Sequence, residues 1–391
     1  MAKINKNYLN LGNNYLFREI EEKVQKFNIK NPNKKLINLG IGDVTLPICD
    51  QILKSAVESI KEMGKTETFK GYGPNLGYEF LREKIKENYF KSGINININE
   101  IFVSDGAKCD ISNILDIFSK ENTCLIPDPV YPVYSDTNIM IGNEIIYMDA
   151  NEENNFLPKP NSKTADLIYI CSPNNPTGAV YTKEMLQEWV DFANLNKSII
   201  FFDAAYESFI SCENLPHSIF EIPGSKTCAI EFKSFSKSAG FTGIRCGYTV
   251  VPKDLIIENV SLNKLWNRRH STKFNGVSYI TQKMAEAIFT EEGQIQCQKN
   301  INYYKENAKI IANSLKSVEM KFFGGYHAPY VWFKCPKNMY SWEFFDYLLK
   351  NLNIIGTPGS GFGKNGEKYM RFSSFGRREY VLEASEKIKN L

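Results

Sequence analysis

The sequence has little histidine. Only His217, His270 and His327 occur in 391 residues, each isolated, and no HExxH is present, which excludes the helical zinc-hydrolase pattern. No GxSxG elbow supports a Ser-His-Asp hydrolase. The nine cysteines are odd in number, scattered, and never form CxxC, so reduced thiols are expected, with neither a disulfide framework nor a bound metal. No apolar run approaches the ~18 residues of a membrane helix, and mean hydropathy is −0.33. The opening MAKINKNYLNLGNNYLF lacks a signal-peptide core, so the cytoplasm is the expected compartment. Charge of one sign is also scarce: 47 basic against 44 acidic residues leave +3, too little to draw a nucleic acid. Repeats and low-complexity tracts are missing.

What is present has an ordinary enzyme composition, 43% hydrophobic and 23% charged, at a length that suits two domains. Ile101–Val103, Leu167–Cys171 and Ile199–Phe202 are continuously apolar, as strands covered on both faces are. Amphipathic stretches alternate with them; Thr182–Asn194 carries Met185, Leu186, Trp189, Val190 and Ala193 on one side. This alternation predicts an α/β fold with a mostly parallel, doubly wound sheet over residues 38–278. A long helical stretch follows, from Tyr279 to about Ser317. The order strand, strand, helix, strand, strand, helix then predicts a smaller α+β domain from residues 279–391. The N-terminal segment 1–37 is assigned to it, and its amphipathic stretch Leu16–Phe27 is expected to pack there or on a partner subunit.

Chemistry concentrates in the loops after these strands. Ser234-Phe235-Ser236-Lys237 through Arg245 crowds hydroxyls, an amine and a guanidinium together, which suits a phosphate group. Lys237 is there either a second phosphate ligand or a Schiff-base nucleophile. Asp203 ends an apolar strand, where open α/β sheets place ligands. It either caps the next turn or holds a proton on a ring nitrogen. Ser172-Pro173-Asn174-Asn175-Pro176 is a stiff turn whose amides can donate to a ring hydroxyl. Ser104-Asp105-Gly106-Ala107-Lys108 opens a helix, where free N–H groups bind phosphate. Tyr72 and Tyr131 lie in aromatic turns; Tyr131 offers a ring that can stack on a flat cofactor. Arg371 sits in an apolar strand and needs an anion, either an internal carboxylate or that of a substrate. Gly361–Gly366 matches GxGxxG, but a strand follows where a helix is required, so it reads as a glycine-rich loop.

The succession DGAK, DPVYP, SPNNPTG, DAAY, SFSKSAGFTGIR and the late strand arginine resembles the fold type I pyridoxal-phosphate aminotransferases. Within them, LGIGDVTLP, GYGPNLGYEFLR, SIFEIPG, FNGVS and FGRRE resemble the LL-diaminopimelate aminotransferase family. The resemblance implies pyridoxal 5'-phosphate as cofactor and amino and 2-oxo acids as substrates, here LL-diaminopimelate and 2-oxoglutarate. It implies ping-pong transfer through a Lys237 Schiff base and a homodimer with shared sites. Asp203 would bind the pyridine nitrogen, Asn175 and Tyr206 the ring hydroxyl, and Tyr131 would stack on the ring. Ala107, Lys108, Ser234, Ser236 and Arg245 would hold the phosphate, joined by Tyr72 from the neighbouring subunit. Arg371 would grip the α-carboxylate. Tyr15, Gly42, Lys108 and Asn275 would line the substrate site, Asn275 coming from the partner chain. Asn75 and His327 would face the distal group, standing where the family pattern has a glutamate and an asparagine. The competing readings are an aminotransferase with another donor, such as lysine or an aromatic amino acid, and a pyridoxal-phosphate-dependent C–S lyase. The first is separated by an amino-donor panel, the second by pyruvate release without an acceptor.

Overall fold

The structure is a computed structural model and describes residues 1–12, 16–389 and 391. Seven strands build the main sheet: β1 (Ile101–Ser104), β2 (Thr123–Asp128), β3 (Glu144–Asp149), β4 (Leu167–Cys171), β5 (Ile199–Asp203), β6 (Ala229–Ser234) and β7 (Gly247–Val250). Their spatial order is β1-β7-β6-β5-β4-β2-β3. All run parallel except β7, which lies antiparallel between β1 and β6. Every residue of β4 and β5 is buried, as continuous apolar runs require of strands covered on both faces.

Helices cover the two faces. On one side Asp50–Met63, Glu79–Lys91, Lys183–Asn196 and Tyr279–Ala287 close a core with Leu81, Leu186, Trp189 and Ala285. On the other, Ala107–Asn113, Val133–Ile141 and Leu262–Lys273 bury Ile111, Tyr134 and Trp266. Each fully buried Leu, Ile or Phe contributes about 1.5–3 kcal/mol of transfer free energy. Local signals set the helix ends. The Thr182 hydroxyl accepts from Met185 N at 3.3 Å, and Lys197 closes that helix at φ 57° before β5 begins.

A second sheet is antiparallel: β8 (Phe322–Gly324), β9 (Tyr330–Lys334), β10 (Thr357–Pro358) and β11 (Tyr369–Ser373), in the order β8-β9-β11-β10. Leu16–Lys30, Ser341–Tyr347, Arg378–Ile388 and the end of Glu291–Ser317 pack on it through Leu16, Phe344, Val381 and Leu315. The N-terminal amphipathic segment therefore covers its own chain's smaller sheet. Ile37–Asn38 adds a parallel pair with Ile354–Ile355.

Three elements differ from the sequence pattern. The stretch 279–317 is two helices, Tyr279–Ala287 and Glu291–Ser317, because Thr290 caps the second by accepting from Gly293 N at 3.1 Å. The first joins the core of the large sheet, while the second reaches the small one. The first helix of the predicted strand-strand-helix order is only Ser341–Tyr347, followed by a wider turn, Leu348–Leu352. Strand β10 was not foreseen, since two residues, one of them proline, carry no periodicity. Gly361–Gly366 lies in two short turns that lead into β11, as a loop. Among the described residues no helix is long and apolar enough to cross a membrane.

Candidate active site

Parallel strands end at one edge of their sheet, so the loops after β1, β2, β4, β5 and β6 gather there. The reversed β7 begins at that same edge. Its direction brings Arg245, two residues before Gly247, to the loops that hold Ser234 and Lys237. Two adjoining cavities, about 440 and 570 Å³, open along this edge and share Lys108, Tyr131, Asn175, Tyr206 and Lys237 in their walls.

Lys237 lies on the short helical turn Phe235–Ser238 directly after β6. Its Nζ donates to Gly42 O and stands 5.3 Å from the Phe375 ring centre. Burial brings the amine down to about 8; nearby Asp43 opposes that shift, while Arg371 and Arg245 add to it. Asp203 ends β5 and is buried. Burial pushes its carboxyl up, against hydrogen bonds from Tyr134 OH to Oδ2 at 2.5 Å and from Ala205 N to Oδ1 at 3.0 Å. A buried carboxylate fixed in this way is poised for a cationic partner.

The loop after β6 presents hydroxyls. Ser234 Oγ donates to Ser236 Oγ at 2.9 Å, and Arg245 Nη1 donates to Ser236 Oγ at 3.1 Å. Gly106 faces this group at φ 129°; a Cβ there would stand 2.7 Å from Arg245 Nη2. Glycine thus keeps the approach to the guanidinium clear, with Ala107 N–H opening the next helix. One guanidinium, two hydroxyls and a bare backbone fit a phosphate ester. The amine and the buried acid in the same cavity fit the aldehyde and the ring nitrogen of pyridoxal 5'-phosphate.

On the outer side Arg371, in β11, is fully buried. It donates through Nη1 to Asn175 Oδ1 at 2.7 Å and through Nη2 to Gly40 O at 3.1 Å and Thr357 Oγ1 at 3.3 Å. Its guanidinium lies 4.3 Å from the centre of the Tyr330 ring. Tyr206 and Tyr330 share a hydrogen bond between hydroxyls at 2.8 Å. The two sheets meet here, Asn175 and Tyr206 coming from the large one and Tyr330 and Arg371 from the small.

Gly42, Ala107, Lys108, Tyr131, Asn175, Asp203, Tyr206, Ser234, Ser236, Lys237, Arg245 and Arg371 all line these cavities. Tyr72 does not; it is 91% exposed, and Asn275 is exposed as well. Asn75 is half-buried on the turn before Glu79–Lys91 and also lies outside the cavity walls. His327 is half-buried between the strands β8 and β9, and its Nδ1 accepts from Ser211 N at 3.3 Å. Tyr15 lies outside the described residues. Sequence reasoning missed Tyr134, which holds Asp203, and Tyr330 and Asp43, which line the cleft. Tyr134 lies three residues after Tyr131, in the helix Val133–Ile141 that leaves the aromatic turn, the one local signal that pointed toward it.

An amine, a buried acid and a guanidinium–hydroxyl cradle at the carboxyl edge of such a sheet define a pyridoxal-phosphate-dependent transferase of fold type I. The profile of the family "Aminotransferase class I and II" matches residues 34–388, and the chain belongs to that family. It is 53% identical to an LL-diaminopimelate aminotransferase of Prochlorococcus marinus (strain NATL1A), covering all of both chains. Among solved structures it resembles L,L-diaminopimelate aminotransferase from Chlamydomonas reinhardtii, at 41% identity and a TM-score of 0.95 over 100% of this chain and 98% of that one. An aromatic aminotransferase from Pyrococcus horikoshii OT3 is more distant, at 26% identity and a TM-score of 0.82 over 94% and 98%. The chain is a transaminase, with pyridoxal 5'-phosphate as its cofactor.

Proposed function

We propose that this enzyme moves an amino group between LL-diaminopimelate and 2-oxoglutarate, in the supply of lysine and cell-wall precursors. Amino transfer is supported above all by Lys237, Asp203 and Arg371 standing around one cleft. The choice of donor rests on the full-length likeness to the Prochlorococcus enzyme.

Pyridoxal 5'-phosphate, when bound, supplies an aldehyde that exchanges between amines and a ring that draws off the electrons freed at the substrate carbon. Ser234, Ser236, Arg245, Lys108 and the Ala107 N–H would hold its phosphate. Asp203 Oδ would face the ring nitrogen and keep a proton there; the hydrogen bonds from Tyr134 and the Ala205 N–H favour its ionised form against the burial that pushes it up. Asn175 and Tyr206 would serve the ring hydroxyl, and Tyr131 would lie against the ring face. Lys237 Nζ would hold the cofactor and, as a free amine, would move the proton at the substrate carbon. An amine near pH 8 in its proton affinity carries a useful neutral fraction at physiological pH. Arg371 grips the α-carboxylate with both guanidinium nitrogens, beside Gly42. By the family resemblance, Tyr15 would serve the same end, and Asn75 and His327 the distal group. A carboxylate replaced by Asn75 there forgoes a charge-assisted bond worth roughly 1.5–3 kcal/mol.

The site belongs to a homodimer. Leu53, Val57 and Ile60 project from one helix at 52%, 45% and 56% exposure, and Phe69 and Tyr72 follow them. Apolar surface of this kind suits a second copy that receives Tyr72 and Asn275 into its own cleft. We divide the chain into residues 38–278 and a smaller unit of 1–37 with 279–391, of which Tyr279–Ala287 packs on the large sheet and Glu291–Ser317 bridges the two. Nine free thiols suit a reducing, cytoplasmic setting.

Purified enzyme assayed against LL-diaminopimelate, lysine and aromatic donors tests the reading. Turnover with LL-diaminopimelate and 2-oxoglutarate is expected, and Lys237→Ala should lose at least roughly 10³-fold in rate while remaining folded. No turnover of LL-diaminopimelate, or pyruvate release without an acceptor, would overturn it.

A further inference from the structure

Cys49 and Cys297 stand apart from the other seven cysteines. Their sulfurs are 3.6 Å apart although 248 residues separate them. Among the described residues no other cysteine pair makes such a contact. Cys49 is half-buried and caps the helix Asp50–Met63; Cys297 is buried in the first turns of Glu291–Ser317 and borders a cavity of about 1080 Å³.

We infer that Cys49 and Cys297 form a reversible thiol–disulfide site that takes a small disulfide, such as oxidised glutathione, as its oxidant. A disulfide has its sulfurs ~2.05 Å apart, so about 1.5 Å remains to be closed, within reach of side-chain rotation. The backbone around the pair is already held in register. Gln296 Oε1 accepts from Gln51 N at 3.0 Å, and Tyr304 OH accepts from Thr45 N at 2.9 Å and Leu46 N at 2.7 Å. Either sulfur can donate across this contact; Cys49 is the more exposed of the two, and a hydrogen bond from Cys297 brings it down to about 7, so it is the sulfur that attacks.

The exchange has two steps. The Cys49 thiolate displaces one glutathione thiol from the oxidant and forms a mixed disulfide. Cys297, losing its proton, attacks Cys49 Sγ and expels the second glutathione. Two protein thiols are oxidised, one external disulfide is reduced to two thiols, and both protons leave with those thiols. The bond fastens the segment Gly40–Cys49, which carries Gly42 and Asp43 of the substrate cleft, to the helix that reaches both sheets. It thereby fixes one wall of the cleft.

The test uses the full-length holoenzyme equilibrated over a series of reduced-to-oxidised glutathione ratios. Samples are quenched with an alkylating reagent, digested and mapped. The expected product is a Cys49–Cys297 linked peptide that dithiothreitol removes, with the other cysteines still alkylated. In Cys297→Ser, Cys49 should stop at the mixed disulfide. Amide exchange over residues 40–49 should slow on oxidation of the native chain and not in Cys297→Ser. If both thiols are alkylated at every ratio, or native Cys49 halts as the glutathione adduct, the site is refuted. Unchanged amide exchange in the linked chain would refute the fastening of the cleft wall.

Discussion

Lys237 owes its reactivity to where the chain buries it. Its amine is brought from 10.5 to about 8 because a charge in the cleft loses hydration. The cofactor-free chain therefore sheds that proton before an unfolded chain would. Between those two values the unfolded chain binds more protons, so this group contributes stability that rises with pH there. The neutral amine is also the form that captures an aldehyde. The rate of cofactor capture, followed by absorbance, is expected to climb with pH and level off above about 8; a flat profile would contradict the assignment. Arg371 makes a complementary case. Its fork spans Asn175, Gly40 and Thr357, and lysine offers one ammonium in place of that planar geometry. Arg371→Lys should raise KM for both substrates by roughly 10–150-fold, the equivalent of about 1.5–3 kcal/mol, with kcat less affected. An unchanged KM would place the α-carboxylate elsewhere.

At the level of elements, the reversed strand β7 matters as much as the parallel ones. A parallel strand in its place would begin at the opposite edge and carry Arg245 away from Ser234 and Ser236. The β1–helix turn has a matching constraint at Gly106, whose φ of 129° and lack of a side chain admit the Arg245 guanidinium. Gly106→Ala is expected to cost about 1–3 kcal/mol in backbone strain and to displace Arg245. Cofactor affinity, measured by equilibrium dialysis, should then fall more steeply than the melting temperature. Affinity equal to the parent's would separate Gly106 from the phosphate cradle. Thr290 acts by similar local means: its hydroxyl turns one apparent long helix into two, which serve different cores.

At the scale of the whole molecule, one chain presents Leu53, Val57 and Ile60 to solvent and leaves Tyr72 and Asn275 outside its own cleft. If the proposed dimer forms through this face, Val57→Lys combined with Ile60→Lys should yield monomers in sedimentation velocity and weaken cofactor retention, because each cleft would then lack the other chain's tyrosine. A dimer that survives both charges would place the interface on another face. The strands β1, β4 and β5, the helix after Thr182, and the loops holding Lys237, Asp203 and Asn175 were legible in the sequence. Buried strands are apolar throughout, and catalytic loops follow them at the carboxyl edge, so local pattern suffices. The direction of β7, the pairing of Tyr134 with Asp203, the approach of Tyr330 to Arg371 and the contact of Cys49 with Cys297 were not. Each joins residues far apart in the chain, or depends on the sense of a strand, and no local period encodes either. The sequence by itself determined which polar groups stand in the loops after the buried strands; only the tertiary structure decided which of them share a hydrogen bond, because that is set by how two sheets with separate cores are brought together.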